Sequence, residues 1–152
     1  MQIRHATLED LDELIRMLKN YANATPLTCF EEPIYDEHRV KTLLANFMMR
    51  HLVLVGEVDE GLGGLLIANM VPDIWMPHIV TLRETAWWVE EECRNTSMGY
   101  RLLQEYLKIG KRLREENVVQ EIVLTTMVNS PDLKLEKRGW RTIETNYVYE
   151  GV

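Results

Sequence analysis

Cysteine is scarce in this chain: of 152 residues only Cys29 and Cys93 carry a thiol, far apart and outside any CxxC or Cys/His ligand spacing. That excludes a disulfide framework and a zinc site built on paired cysteines. The four histidines, His5, His38, His51 and His78, are equally scattered, so no metal is expected. No apolar run approaches the roughly 18 residues that a membrane span needs, and charged residues from Arg4 onward interrupt any secretory leader. Positive charge is also in short supply, with 17 Lys and Arg against 24 Asp and Glu for a formal net charge of −7. This balance argues against a nucleic-acid partner held by a basic face and is compatible with a cationic substrate. Together these absences describe a protein of the reducing cytoplasm, with neither membrane nor nucleic acid as partner.

What is present suffices for one core. The apolar fraction of 46% and the charged fraction of 27% are ordinary for a globular chain, and 152 residues fit a single domain, residues 1–152, where two would each be too small. Gln2 to Ala6 reads as a short strand. Thr7-Leu8-Glu9-Asp10 starts a helix that the Thr7 hydroxyl caps, with Leu8, Leu11, Leu14, Ile15 and Leu18 on one face. Tyr21 to Tyr35 is irregular and long enough for a binding loop. Asp36 caps a second helix with Val40, Leu43, Leu44 and Phe47 on one side.

Strands are predicted over His51–Val58 and Leu62–Ala68 around the turn Asp59-Glu60-Gly61, and over Val80–Val89 after an irregular Met70–Ile79 segment. Leu102, Leu103, Tyr106, Leu107 and Leu113 mark an amphipathic helix that Gly110 weakens. The order closes with a β-rich run over Glu121–Val128, a short helix from Asn129-Ser130-Pro131 to about Gly139, and a strand over Trp140–Tyr149. The fold class is α/β (α+β): a mixed, mostly antiparallel central sheet flanked by about four helices.

The chemistry-bearing segment runs from Val89 through Glu90-Glu91-Glu92-Cys93-Arg94-Asn95-Thr96-Ser97-Met98 to Gly99, between a strand and a helix. Such a junction presents free backbone N–H groups backed by a helix dipole, which attract an anion such as a diphosphate. Asn95, Ser97 and Gly99 are small or conformationally permissive enough for close backbone approach. An ordinary capped turn has the same spacing.

The segment resembles the acyl-CoA signature of the GNAT superfamily of N-acetyltransferases: a strand ending in Val, an acidic stretch, then Arg or Gln followed by x-x-Gly-x-Gly or Ala. Val89, Glu92, Arg94 and Gly99 stand at matching places, while Ser97 replaces the first glycine and Glu91 stands where proline is frequent. Leu135-Glu136-Lys137-Arg138-Gly139-Trp140 is similar to the superfamily's closing motif. The likeness spans nearly the whole chain, and the Trp87-Trp88-Val89 end is most similar to small bacterial and phage-borne members.

The resemblance implies direct transfer of an acetyl group from acetyl-CoA to a primary amine in a ternary complex, without metal. The amine would belong to a small molecule or to a protein lysine or N-terminus. Backbone N–H groups of Arg94, Asn95, Thr96, Ser97, Met98 and Gly99 would hold the diphosphate. The strand edge at Trp87, Trp88 and Val89 would pair with the pantetheine arm and supply an oxyanion donor.

Glu84 is the leading base; as alternatives it is an exposed strand carboxylate or the partner of Arg83 or a neighbouring arginine. Glu91 and Glu92 are weaker candidates, His78 would act only through a water, and Cys93 has no nearby His to activate it. Leu135 occupies the place of the superfamily's thiolate-protonating tyrosine. The acid is then a water, Tyr100 or Tyr106, or the thiolate leaves unassisted, or catalysis is lost. Tyr106 lies on the apolar helix face, where core packing is its expected role. Acidic Glu31, Glu32 and Asp73 hint at a cationic acceptor, and the superfamily implies a homodimer. The alternative function is a GNAT-fold protein that binds CoA, or nothing, and acts by docking on another protein.

Overall fold

Apart from Glu57 and Asn69, Leu52–Val58 and Gly61–Pro72 are apolar or glycine on both faces, which calls for a sheet covered on both sides. The computed structural model, which describes residues 1–26 and 36–149, meets that requirement. Five strands lie in the order β1 (Gln2–His5), β2 (Leu52–Val58), β3 (Gly61–Pro72), β4 (Val80–Val89) and β5 (Glu121–Val123). The first four are antiparallel neighbours, and β5 runs parallel to β4. One face is covered by α3 (Met98–Glu115), the other by α1 (Leu11–Ala24) and α2 (Glu37–Arg50).

Leu54, Leu66 and Leu82 meet Leu102, Leu103 and Tyr106 on the α3 side. Val53, Val55, Leu65 and Ile67 meet Leu14, Ile15, Met17 and Leu44 on the other side. Each such side chain taken out of water contributes about 2 kcal/mol. Two glycines set how closely α3 approaches. A Cβ on Gly56 would lie 2.0 Å from Met98 Sδ, and one on Gly110 would lie 2.9 Å from Ile122 Cδ1. Glycine at 110 therefore does more than weaken the helix, because it lets α3 close on β5.

The mixed, mostly antiparallel sheet agrees with expectation, but the described residues hold three α-helices, not about four. The helix expected from Asn129 to Gly139 is reduced to a 3-10 turn at Leu135–Arg138. Asp132 accepts the Lys134 N–H at 3.0 Å, and Lys134 adopts a left-handed φ of 50°, so a local turn displaces the first helical turn. The strand expected over Trp140–Tyr149 does not form, because an alternating pattern supplies no neighbour to bond with. The β-rich run after Glu121 pairs only as far as Val123.

Conversely, β3 continues to Pro72, shortening the expected irregular segment, and Tyr21–Ala24 belongs to α1. Thr7 stands at the N-cap as expected, in a capping box with Asp10, whose carboxylate accepts from Thr7 N–H at 2.7 Å and from its hydroxyl at 3.2 Å, and also from Arg4. Asp36 caps α2 as expected, accepting from Arg39 N–H at 2.9 Å. Cys29, Glu31 and Glu32 lie outside the described residues.

Candidate functional site

β4 changes character at Thr85. Ala68 opposes Glu84 while Ile67 opposes Ala86, so Thr85 is an extra residue, a β-bulge. The bulge inverts which side chains face which layer. Before it Val80 and Leu82 pack towards α3; after it Trp87 and Val89 do so, while Ala86 and Trp88 face α1 and α2.

The bulge also coincides with the end of β4–β5 pairing, whose last rung is Arg83 with Val123. Beyond it the Glu90 N–H bonds to Gly63 O at 2.9 Å, which fixes the alternation along the rest of β4. Ala86 and Trp88 bond towards β3, and Trp87 and Val89 turn their N–H and C=O groups to the edge that β5 has left. The two strands thus form a fork with an open backbone edge on one arm.

Glu84 sits at the apex of this fork. Its side chain crosses towards the segment after β5, where Oε2 accepts from Thr125 N–H at 3.1 Å. The residue is 6% exposed, and burial pushes the carboxyl up to about 7, against which the Thr125 bond acts weakly. Tyr21 of α1 and Tyr106 of α3 are both raised above the usual phenol range, first by burial and then by the Glu84 charge. Among the described residues Glu84 is paired with no arginine: Arg83 binds Glu144 instead, at 3.2 Å. Asn129 Nδ2 donates to Ala24 O at 2.9 Å and ties the segment after β5 to the end of α1.

At the far end of β4 the expected anion-binding junction is a 3-10 turn, Glu91–Cys93, followed by the first turn of α3. Some of its amides are already bonded. Cys93 and Arg94 N–H bond to Glu90 O and Glu91 O, Thr96 N–H bonds to Cys93 O, and Met98 N–H bonds to Thr96 Oγ1. Among the described residues the N–H groups of Asn95, Ser97, Gly99 and Tyr100 have no protein partner. The six expected amides therefore divide evenly, with Tyr100 joining the free set.

Ser97 has φ −80° and ψ 6°, a backbone open to any residue, so the serine in place of glycine is not strained. Neither a positive φ nor protein packing requires glycine at 99: a Cβ there would lie 3.5 Å from Val89 Cγ2 and 3.7 Å from Trp87 Cζ2, ordinary contact distances. The Met98 side chain is core, fully buried beneath α3.

The aromatic pair divides between the faces. Trp88 Nε1 donates to Glu90 at 3.1 Å, Arg94 lies 4.6 Å over the Trp88 ring, and Arg94 Nε donates to Val89 O at 3.1 Å. Trp87 Nε1 is shut off from solvent and has no partner among the described residues. A buried N–H calls for an acceptor. The backbone donors along this edge fit an amide-bearing arm that ends in phosphates.

An open groove of about 690 Å³ runs along α1 and the end of β4, lined by Arg16, Asn20, Asn23, Trp88, Glu90 and Arg94 among others. Glu91 and Glu92 are exposed at its rim, while Glu84 lies outside it, at the fork. Its floor rests on a residue given no role by the sequence. The buried Glu90 carboxylate accepts from Arg16 at 2.5 Å, from Asn20 at 3.1 Å and from Trp88. Arg16 and Asn20, one helical turn apart on α1, were the available signal.

The remaining candidates separate from the site. Asp73 accepts from Trp75 and Met76 N–H at 2.8 Å and builds its own loop, while His78 is exposed in that loop. Cys93 Sγ packs against Gly63. Leu135 packs on the α3 core, and Tyr100 is exposed beneath Arg138 at 5.3 Å.

No protein-family model and no curated protein sequence matches the chain. Solved structures do match over its length. A ribosomal-protein-alanine N-acetyltransferase from Brucella melitensis is 20% identical at a TM-score of 0.67, covering 99% of this chain and 100% of its own. A predicted acetyltransferase with acetyl-CoA from Clostridium acetobutylicum is 14% identical at 0.72, covering 98% and 95%. A transcriptional regulator from Bacillus halodurans is 18% identical at 0.69, covering 99% of each chain. Identities this low speak to the architecture, and the third name shows that the architecture does not dictate activity. With its bulged, forked sheet and the turn that leads into α3, the chain has the GNAT fold.

Proposed function

We propose that the protein transfers an acyl group from acetyl-CoA to a primary amine by direct attack within a ternary complex. The observation that carries this reading is the set of N–H groups without a protein partner among the described residues, those of Trp87 and Val89 on the open edge and of Asn95, Ser97, Gly99 and Tyr100 at the turn, on a strand that begins beside a buried carboxyl. The edge receives the pantetheine arm as an added strand would be received, and the free amides receive the diphosphate. Arg94, braced on Val89 O and the Trp88 ring, keeps its terminal nitrogens for a phosphate.

In this reading the thioester lies near Glu84. A carboxyl pushed up to about 7 is partly ionised at neutral pH and strong enough as a base to take a proton from an ammonium group. The outward N–H of Trp87 or Val89 then stabilises the oxyanion of the tetrahedral intermediate. The amine enters at the Glu84 end of the fork and belongs to a small molecule or to a protein lysine or N-terminus. Tyr106 is bonded to two carbonyls, which leaves water or the exposed Tyr100 to protonate the departing thiolate.

The test is a thermal-shift series with acetyl-CoA, free CoA and ATP. The first two are expected to raise the melting point, by about 2.7 kcal/mol of added stability at a hundredfold excess over Kd, and ATP to leave it unchanged. No response to acetyl-CoA or CoA would remove the reading. The Leu135 departure favours a second reading, a protein that binds CoA without turning it over. That reading predicts the same shift but no acyl transfer to any amine.

A further inference from the structure

The β4–β5 ladder stops at Arg83 and Val123, although Leu124-Thr125-Thr126-Met127-Val128 continues the β-type composition of β5. Composition therefore does not end it. At this point stands Tyr106, fully buried, with its hydroxyl 2.7 Å from Val123 O and 3.0 Å from Leu82 O and the backbone of Glu84 as a further neighbour. A phenol has one proton to share and two lone pairs. Placed between the two strands, it bonds to one carbonyl of each at the last two rungs of the ladder, Leu82–Ile122 and Arg83–Val123. Gly110, one turn further along α3, lets the helix close on Ile122 and presses the ring into the gap. Just beyond the hydroxyl the strands are far enough apart for the Glu84 carboxyl to lie between them.

We infer that Tyr106 is the positioning residue of the fork: its hydroxyl ends the β4–β5 ladder, keeps the Trp87–Val89 edge open and holds Glu84 at the apex. The inference rests on the acyl-transfer reading for the use of the fork, but not for its geometry. The groups that face Glu84 are the Thr125 N–H from the segment after β5, Tyr106 from α3 and Tyr21 from α1. Arg83, its neighbour on β4, is paired with Glu144. No cation bonds to the Glu84 carboxyl among the described residues, so its ionisation is governed by how much water reaches the apex.

Tyr106→Phe tests this, since it keeps the ring and removes only the oxygen. Leu82 O and Val123 O then lose a donor, and water enters to serve them. In a ¹³C-carboxyl NMR titration the Glu84 midpoint is expected to fall by about one unit towards the ordinary carboxylate range. The Thr125 amide is expected to exchange roughly tenfold faster, as befits a protecting bond loosened. A folded Tyr106→Phe protein with the Glu84 midpoint and the Thr125 exchange unchanged would overturn the inference and leave Tyr106 as core filling.

If the variant does not fold, the unaltered protein decides. A hydroxyl proton held between two buried carbonyls gives a resolved, slowly exchanging resonance with contacts to Val123 and the Glu84 amide, and its absence at low temperature overturns the proposal. None of these readouts needs a ligand. Failure of the unaltered protein to bind CoA would count against acyl transfer and not against the clasp.

Discussion

From Val80 to Arg83, β4 is bonded to β3 on one edge and β5 on the other; from Ala86 to Val89 it is bonded to β3 alone. The first stretch packs Val80 and Leu82 into the core beneath α3, while the second divides its side chains between that core and the one beneath α1 and α2. An unpaired strand edge is ordinarily a hazard, because it invites another strand. Here the open stretch is guarded at one end by Arg94 on Val89 O and at the other by Tyr106 and the bulge at Thr85. The comparison teaches that the opening is built, with a buried carboxyl at its closed end and free amides at its mouth.

The largest effect that can break this comparison is kinetic. Glu84→Gln is expected to lower turnover of any accepted amine by about 10²–10⁴-fold while the affinity for CoA, read by calorimetry, stays within about twofold. Retained turnover would return Glu84 to the status of an ordinary strand carboxylate.

Next in size is stability. Leu82→Ala in the doubly paired half removes a fully buried side chain and is expected to cost about 2–5 kcal/mol in urea unfolding. Thr85→Ala, at the exposed bulge, is expected to change stability by less than about 0.5 kcal/mol. Equal effects would show that the two halves do not differ in rigidity.

Glu84 also links the fork to pH. Its carboxyl is raised in the folded state from 4.5 to about 7, so folding favours the protonated form. The stabilising share of that preference is complete below pH 4.5 and is lost as pH rises through 7. At pH 8 the ionised group then costs on the order of 3 kcal/mol. Glu84→Gln, which keeps an acceptor for Thr125 N–H, is expected to be more stable than the parent at pH 8 by up to that amount and indistinguishable from it at pH 4. A flat difference across that range would place Glu84 in contact with water. A variant that gains stability as it loses turnover would identify the carboxyl as a functional strain.

The smallest expected change is at the mouth. A Cβ on Gly99 meets Val89 and Trp87 at ordinary contact distances, so Gly99→Ala is expected to raise helix stability by about 0.5–1 kcal/mol. If the Gly99 amide meets a phosphate, the added methyl group also weakens CoA binding. Stabilisation with unchanged affinity would move the ligand away from this turn.

Much of the architecture was legible because its signals are local. The helical spacing of Leu11, Leu14, Ile15 and Leu18, the Asp36 cap and the strand–turn–strand pattern around Asp59-Glu60 each act within a few residues. The end of the chain misled for the same reason. Alternation over Trp140–Tyr149 is a strand's pattern without a neighbour, and Asn129-Ser130-Pro131 heads a turn held by Asp132. Within the site, Glu84 was readable as a carboxylate on the strand that leads to the turn. Glu90, Arg16 and Asn20 were not, because their contact joins β4 to a helix some 70 residues away in sequence.

By itself the sequence determined the element types, the two-faced apolar strands and the strand–turn–helix junction at Val89–Gly99, since these follow from periodicity and backbone preference. Tertiary structure alone decided where β4 and β5 separate, which amides stay free and how far burial raises Glu84. Those outcomes depend on distances between segments remote in the chain, from Tyr106 to Leu82 and Val123 and from Thr125 to Glu84, and no local pattern encodes such distances.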